Sequence, residues 1–392
     1  MSKIKLDKSF LLVVIGSEAI RATVFGYDRK KESKTYGKPM VLKSFESNLP
    51  LLDKNDFKSL YDLTVKGLED VFQIISSAKV VVPKEVHVVL ESPWYISQTR
   101  MVSLEKAEPF SITKKFMMEL KEKEHEIFRN EHKKDFTGED DIVVEEKIMS
   151  TRLNGYDIQD PVGRKAKSFS MALYISITSK SAIDGFNKVF HRHIPHSNIS
   201  YHSSAFSAYV VIRDIFAHLS DFLVVTVEGE VTDVHYVNSG VLFESVTFPY
   251  GLHSSIREMA KVLKRNVSDV LAFLRMEQEN TLEHTASADM KKALETSRQN
   301  WGSWFAKALD TLAKGSVVPT NIFLVSEGYD LQWVGEAIKN NHTNYRIGSL
   351  SFNLTEVDSN YLSGYYSAGI QAITHADPLM HGVYIFERVL QK

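Results

Sequence analysis

The chain has 392 residues, 43% hydrophobic and 24% charged, with Lys+Arg 47 against Asp+Glu 49. These values suit a soluble globular protein large enough for two or more domains, and the near-zero net charge excludes the basic footprint of a nucleic-acid binder. The absence of cysteine excludes disulfides, thiolate metal sites and a cysteine nucleophile.

No apolar run approaches the roughly 20 residues of a membrane span. Half of residues 1–8 are charged, and they are followed only by the short apolar run 10–15 before Gly16, a pattern that reads as a buried strand rather than a signal peptide. The expected location is the cytoplasm, with contact at most on the inner face of a membrane.

The spacing predicts a strand over 10–15, a turn at Gly16-Ser17-Glu18 and a second strand over 20–27, which together make a first hairpin. Phe57, Leu60, Tyr61, Thr64, Leu68, Val71, Phe72 and Ile75 follow helical spacing, so their stripe must cover a sheet. A strand follows over 86–90.

From Glu91 to about His202 the texture changes. Ser92-Pro93-Trp94-Tyr95 is an aromatic turn, read either as local core or as a partner surface. A charge-dense helix over 112–132 shows a narrow apolar side of Phe116, Leu120, Ile127 and Phe128, with its charges read as a solvated face or a docking surface. A polar linker over 135–141, strands over 142–153 and 169–178, and a helix through Ile183, Phe186, Val189 and Phe190 complete a separate strand-helix-strand-strand unit. His191, His193, His196 and His202 match no zinc spacing and read as a solvated helix end and loop.

Ala205, Ala208, Tyr209, Ile212 and Phe216 mark a returning helix. A second hairpin follows: strand 222–227, a turn around Gly229, strand 233–237, a turn at Asn238-Ser239-Gly240, strand 241–248, and a close at Pro249-Tyr250-Gly251. Helices are expected over 256–263, 267–274 and 294–312, then a strand over 321–325, a turn at Ser326-Glu327-Gly328 into a helix, and a last helix over 362–373. The tail 375–392 carries Val383, Ile385, Phe386, Val389 and Leu390 without the basic face of a membrane-surface helix, so it is expected to pack as a final strand or helix.

Two hairpins, each opening one half of the chain, with an insertion in the first half, resemble the actin-like ATPases. Asp160-Pro161-Val162-Gly163, the strand after it and the second hairpin narrow the resemblance to FtsA, the cell-division actin homologue, and its relative PilM of type IV pilus assembly. The resemblance covers about residues 10–373. It implies an α/β, actin-like (ribonuclease H-like) two-lobed fold with a small inserted α+β domain. The expected parts are 1–85 as the first lobe, 86–202 as the insertion, 203–255 as the returning helix and start of the second lobe, 256–318 as a helical subdomain, and 319–392 as the remainder. It also implies a protein partner, either an FtsZ-type C-terminal peptide or the cytoplasmic N-terminus of a pilus inner-membrane protein, with self-assembly as a further option.

In such folds, phosphates rest on backbone N–H groups of glycine-rich turns and two aspartates organise Mg²⁺. The corresponding aspartate positions are Val14 and Thr226, and the first-turn lysine position is Ala19. The second turn reads Glu228-Gly229-Glu230 and the adenosine loop Ser326-Glu327-Gly328. A like-charge contact at ~4 Å costs roughly 4 kcal/mol at intermediate dielectric, so acids aimed at a triphosphate would repel it. The surviving elements are Gly16, Ser17, Gly229, Thr232, Asp233, Gly251 and Gly328, which are either plain turn residues or a nucleotide pocket in altered form. The expectation is an adaptor with no catalytic residue, no metal ligand, and either no cofactor or a degenerate ATP/ADP site. The rival is an active ATPase or kinase, for which the sequence offers no evident carboxylate base.

Overall fold

The computed structural model describes residues 8–28, 37–51, 56–133, 140–278, 281, 284–313, 317–326, 332–340, 351–367 and 376–391. The apolar run at the start forms β1 (Lys8–Ile15), whose residues from Phe10 onward are fully buried. A strand buried on both faces must lie inside a sheet. It pairs antiparallel with β2 (Ala19–Tyr27), which carries the edge strand β3 (Met40–Asn48). Helix α1 (Phe57–Ser77) starts at Asp56, whose side chain accepts the Ser59 backbone N–H at 2.9 Å, and buries Leu60, Leu68, Val71, Phe72 and Ile75. β4 (Glu85–Leu90) then lies parallel to β1.

The chain next leaves this sheet. β5 (Ile96–Ser111), α2 (Lys114–His132), β6 (Asp141–Leu153), β7 (Tyr156–Asp157) and β8 (Lys165–Ser179) build a separate sheet of order β5-β8-β6-β7. Its own core gathers Ile112, Met117, Phe128, Phe169, Leu173 and Ile175. Some charges of α2 are paired with the sheet: Lys121 and His125 with Glu146, and Arg129 with Asp141. The expected linker 135–141 lies mostly outside the described residues.

Helix α3 (Lys180–His193) and β9 (Asn198–Ser203) belong to the first sheet again. Phe186, Val189 and Phe190 of α3 share a core with Leu68 and Phe72 of α1, and β9 pairs parallel with β4. Within the 86–202 span, therefore, only 96–179 forms the separate sheet. Helix α4 (Ser204–Ile215) crosses to β10 (Phe222–Val227), β11 (Thr232–Asn238) and β12 (Val241–Phe248). The helical stretch is α5 (Leu252–Leu263), α6 (Val267–Gln278) and α7 (His284–Ala313), followed by β13 (Asn321–Ser326), α8 (Gln332–Asn340) and β14 (Asn353–Glu356).

The two large sheets have one topology, β3-β2-β1-β4-β9 and β12-β11-β10-β13-β14, each with antiparallel and then parallel neighbours about its central strand. The central strands sort their side chains alike, as a period of two requires. Phe10, Leu12 and Val14 of β1 and Phe222 and Val224 of β10 point into one shared core, whereas Leu11, Val13, Leu223 and Val225 point to the outer helices. The shared core is filled by α4 and by α9 (Ala376–Tyr384), which runs on into a wider helical turn, Ile385–Leu390. The tail is thus a buried helix. Of the helix expected over 362–373, the described part is a single tight turn, Tyr361–Gly364, and residues 368–373 lie outside the described residues.

One buried carboxylate ties three parts together. Glu145 of β6 accepts bonds from the Ser203 hydroxyl at 2.7 Å, the Ser203 backbone N–H at 3.1 Å and the Tyr384 hydroxyl at 2.8 Å. Burial alone would raise its pKa, but His202 and Ser203 hold it below the usual carboxylate range. His202, expected in a solvated loop, is buried on β9 and hydrogen-bonded to His87 at 3.1 Å.

Burial and the neighbouring His202 push the His87 imidazole down to about 3. A histidine neutral in the fold but free to charge when unfolded gives stability that is complete above the unfolded value of about 6.5 and is lost as pH falls below it. In urea titrations, wild type is expected to lose up to about 1.4 kcal/mol per pH unit more than His87→Gln as pH drops from about 6.5 to about 5. Equal slopes in the two proteins would refute this.

Candidate functional site

The turns of the two hairpins meet. β1 ends at Gly16-Ser17-Glu18 and β10 at Glu228-Gly229-Glu230, and because the sheets face each other across α4 and α9 the turns come together at one end of the shared core. The backbone N–H of Glu230 donates to Ser17 Oγ at 3.0 Å, a bond buried between the lobes. A Cβ on Gly229 would stand 2.9 Å from both the amide nitrogen of Glu18 and the carbonyl carbon of Ser17. Gly229 is therefore required by the opposing backbone itself.

Gly251 has the same need within the second lobe. An added Cβ would lie 2.3 Å from the Glu228 carbonyl oxygen and 2.6 Å from that of Gly229. These two carbonyls accept the first N–H groups of α5, from Leu252 at 2.9 Å and His253 at 2.6 Å. Free N–H groups at a helix start can hold an anion. In α5 two of them are already satisfied by the chain.

Thr232 and Asp233 are also engaged locally. The Thr232 hydroxyl donates to the Tyr250 carbonyl at 2.7 Å and accepts from the Trp301 indole at 3.1 Å, and Asp233 accepts from Thr247 at 2.5 Å. Val14 is buried in the shared core, and Thr226 sits on β10 opposite Asp233. The structure thus brings Gly16, Ser17, Gly229, Thr232, Asp233 and Gly251 into one region. Gly328 lies outside the described residues, as does Glu327.

The acids of the second turn do not stand as the sequence suggested. Glu230 turns into its own lobe, where His253 donates at 3.2 Å and Arg257 makes a two-pronged contact. Burial acts to raise its carboxyl, but those partners bring it down to about 2. Glu228 turns the other way, into a buried group with Glu91 and Asp377. Burial and the facing carboxylates raise Glu91 and Glu228 well above the usual range, while Asp377, although buried, is lowered by His381. The cationic neighbour is Arg21, itself bonded to Glu46 at 2.9 Å.

Sequence reasoning missed Glu91, Arg21, Asp377 and His381. Two of them carried a signal, since Arg21 interrupts an apolar strand and Glu91 terminates one on the same edge as the hairpin turns. Trp94, from the aromatic turn, backs this region with its indole N–H 3.4 Å from the Gly16 carbonyl. The histidine group does not converge: His193 bonds Glu69, His191 bonds the Asn187 carbonyl, and His202 lies buried against His87.

No protein-family model matches this chain, and no curated protein is similar to it in sequence. Solved structures are similar in fold. The PilM–PilN type IV pilus biogenesis complex matches 96% of this chain and 98% of its own, at 12% identity and a TM-score of 0.64. A Bacteroides thetaiotaomicron protein of actin-like ATPase fold matches 98% of each chain at 11% identity and a TM-score of 0.46. The ethanolamine utilization protein EutJ from Carboxydothermus hydrogenoformans matches 97% of this chain and 91% of its own at 8% identity and a TM-score of 0.45. The fold is the actin-like, two-lobed α/β fold.

Gly229→Ala and Gly251→Ala are each expected to cost ~1–3 kcal/mol, because the new methyl group meets backbone that cannot rotate away. Gly364→Ala, with nothing within 4 Å of the added carbon, should be nearly neutral. Thermal unfolding of the three variants checks the order. Glu230→Gly, which on sequence grounds would relieve repulsion, should instead destabilise the fold by stripping Arg257 and His253 of their acceptor.

Proposed function

We propose that this chain is a protein-binding scaffold of the actin-like fold that does not turn over ATP. Its partner on this reading is a segment of a membrane-associated machine, of the kind that PilM engages in the PilM–PilN complex. The observation that carries the reading is the buried bond from Glu230 to Ser17, which joins the two turns between which a triphosphate would have to lie. Three further features support it. The α5 start has donated its first N–H groups to the second turn, the aspartate positions for Mg²⁺ are Val14 and Thr226, and three buried carboxylates stand beside the turns. On this reading the partner has a candidate seat in a hollow of about 540 Å³ beside α2, lined by Met118, Lys121, Glu122, His125, Glu126, Arg129, Asn130 and Glu146. Among the described residues, no helix is long and apolar enough to cross a membrane.

Calorimetry with Mg-ATP is expected to show no submicromolar, Mg²⁺-dependent binding, and such binding would overturn the non-catalytic reading. Capture on two immobilised peptides tests the partner. One is the cytoplasmic N-terminus of a PilN-type protein and the other the C-terminal tail of an FtsZ-type protein. Retention on the first alone supports the pilus-type role, whereas retention on the second alone would reassign the chain to FtsA-like work in cell division.

A further inference from the structure

Asp377 and His381 are four residues apart on α9, so they share one face of the helix. That face meets the end of β4, and one ligand-capable atom from each of Glu91, Asp377 and His381 falls within 4.8 Å of the others. All three are buried, at 2%, 5% and 0% exposure. The His381 ring is held from behind, with Nδ1 hydrogen-bonded to Ser207 of α4 at 2.7 Å. That is how the imidazole of a metal site is commonly fixed by its far nitrogen.

The other ring nitrogen points to a ligand. His381 Nε2 is fully buried and has no hydrogen-bond partner, although Asp377 Oδ1 is only 2.7 Å away. Two ligands of one cation, each bound at about 2 Å, stand about 3 Å apart in this manner. Charge argues the same way. Glu91, Glu228 and Asp377 place three carboxylates in the interior, and Arg21 beside them is shared with Glu46. Buried acids of this density need protons or a cation.

We propose that Glu91, Asp377 and His381 form a binding site for a divalent transition-metal cation that clasps α9 to the first lobe. One imidazole and two carboxylates suit zinc or manganese better than magnesium or calcium, which favour all-oxygen sets. The donors come from the end of β4 and from α9, not from positions 14 and 226, where the resemblance puts the Mg²⁺ aspartates. The three donors are buried, so the ion enters during folding. The clasp depends on neither nucleotide nor protein partner.

The full chain, purified from cells grown with added zinc, is expected to retain about one equivalent of zinc by elemental mass spectrometry. Removal of zinc by a chelator should lower its melting temperature. Asp377→Asn and His381→Gln should each cut retained zinc at least about tenfold, and a His191→Ala, His193→Ala double variant should keep it. X-ray absorption of the zinc-loaded wild type needs no variant to fold, and is expected to show one imidazole nitrogen among oxygen ligands. A wild type that retains no zinc, retention unaffected by His381→Gln, or a shell with two or more imidazoles would each overturn the proposal.

Discussion

The contact of Ser17 with the backbone of Glu230 sets the terms for the rest of the structure, because it fixes how closely two otherwise independent sheets approach. A hairpin turn buried against another hairpin turn must satisfy its backbone groups without water. Each turn does so by a different route. The first closes on itself, with the Gly16 N–H donating to the Ala19 carbonyl at 3.2 Å, and the second gives its carbonyls to the start of α5. Glycine at 229 follows from that closeness, and glycine at 251 from the packing of α5 on the second turn. Gly229 and Ser17, which look like relics of phosphate binding, are thus needed for the lobes to touch.

Beneath the turns the same closeness continues as a single apolar core. Side chains of β1 and β2 from one lobe and β10 from the other pack on α4 and α9 without a break. Gly382 lets α9 rest on the Phe25 ring, since an added carbon would lie 2.3 Å from it. Lobes joined by a hinge alone could swing about a ligand, but a shared core resists such motion because opening it would expose apolar surface at roughly 25 cal/mol per Å². Buried charges at the margins of this core include the acid group beside the turns and Glu145, which Tyr384 contacts.

The sequence made the central strands and both hairpins legible, because strands buried on two faces are uninterrupted apolar runs. Of the edge strands of the two large sheets, β12 was legible but β3, β9 and β14 were not. β3 is broken by Lys43, Ser44, Glu46 and Ser47, β9 is half-exposed over Asn198–Ser203, and β14 has four residues. Pairing on one side demands little of the side chains, so tertiary context rather than pattern makes these segments extended. The acids show the same limit. Glu230 was legible as an acid in the second turn, yet its partners Arg257 and His253 are more than 20 residues away and no spacing rule joins them. Asp377 and His381 were hidden in an apolar tail, and only the fold brings them to Glu91.

A rigid pair of lobes also fixes the separate sheet. Thr99 of β5 donates to the Leu242 carbonyl on β12 at 2.5 Å, and Glu145 of β6 receives bonds from Ser203 and from Tyr384 at the end of α9. The small sheet is therefore held to both lobes at once, through hydrogen bonds from groups that are themselves buried. A surface formed across such a junction meets a partner without first being ordered, and the entropy otherwise lost on binding is already spent in folding. The bonds of Thr99 and Glu145 hold the small sheet in register with both lobes, as the bond between Glu230 and Ser17 holds the two turns.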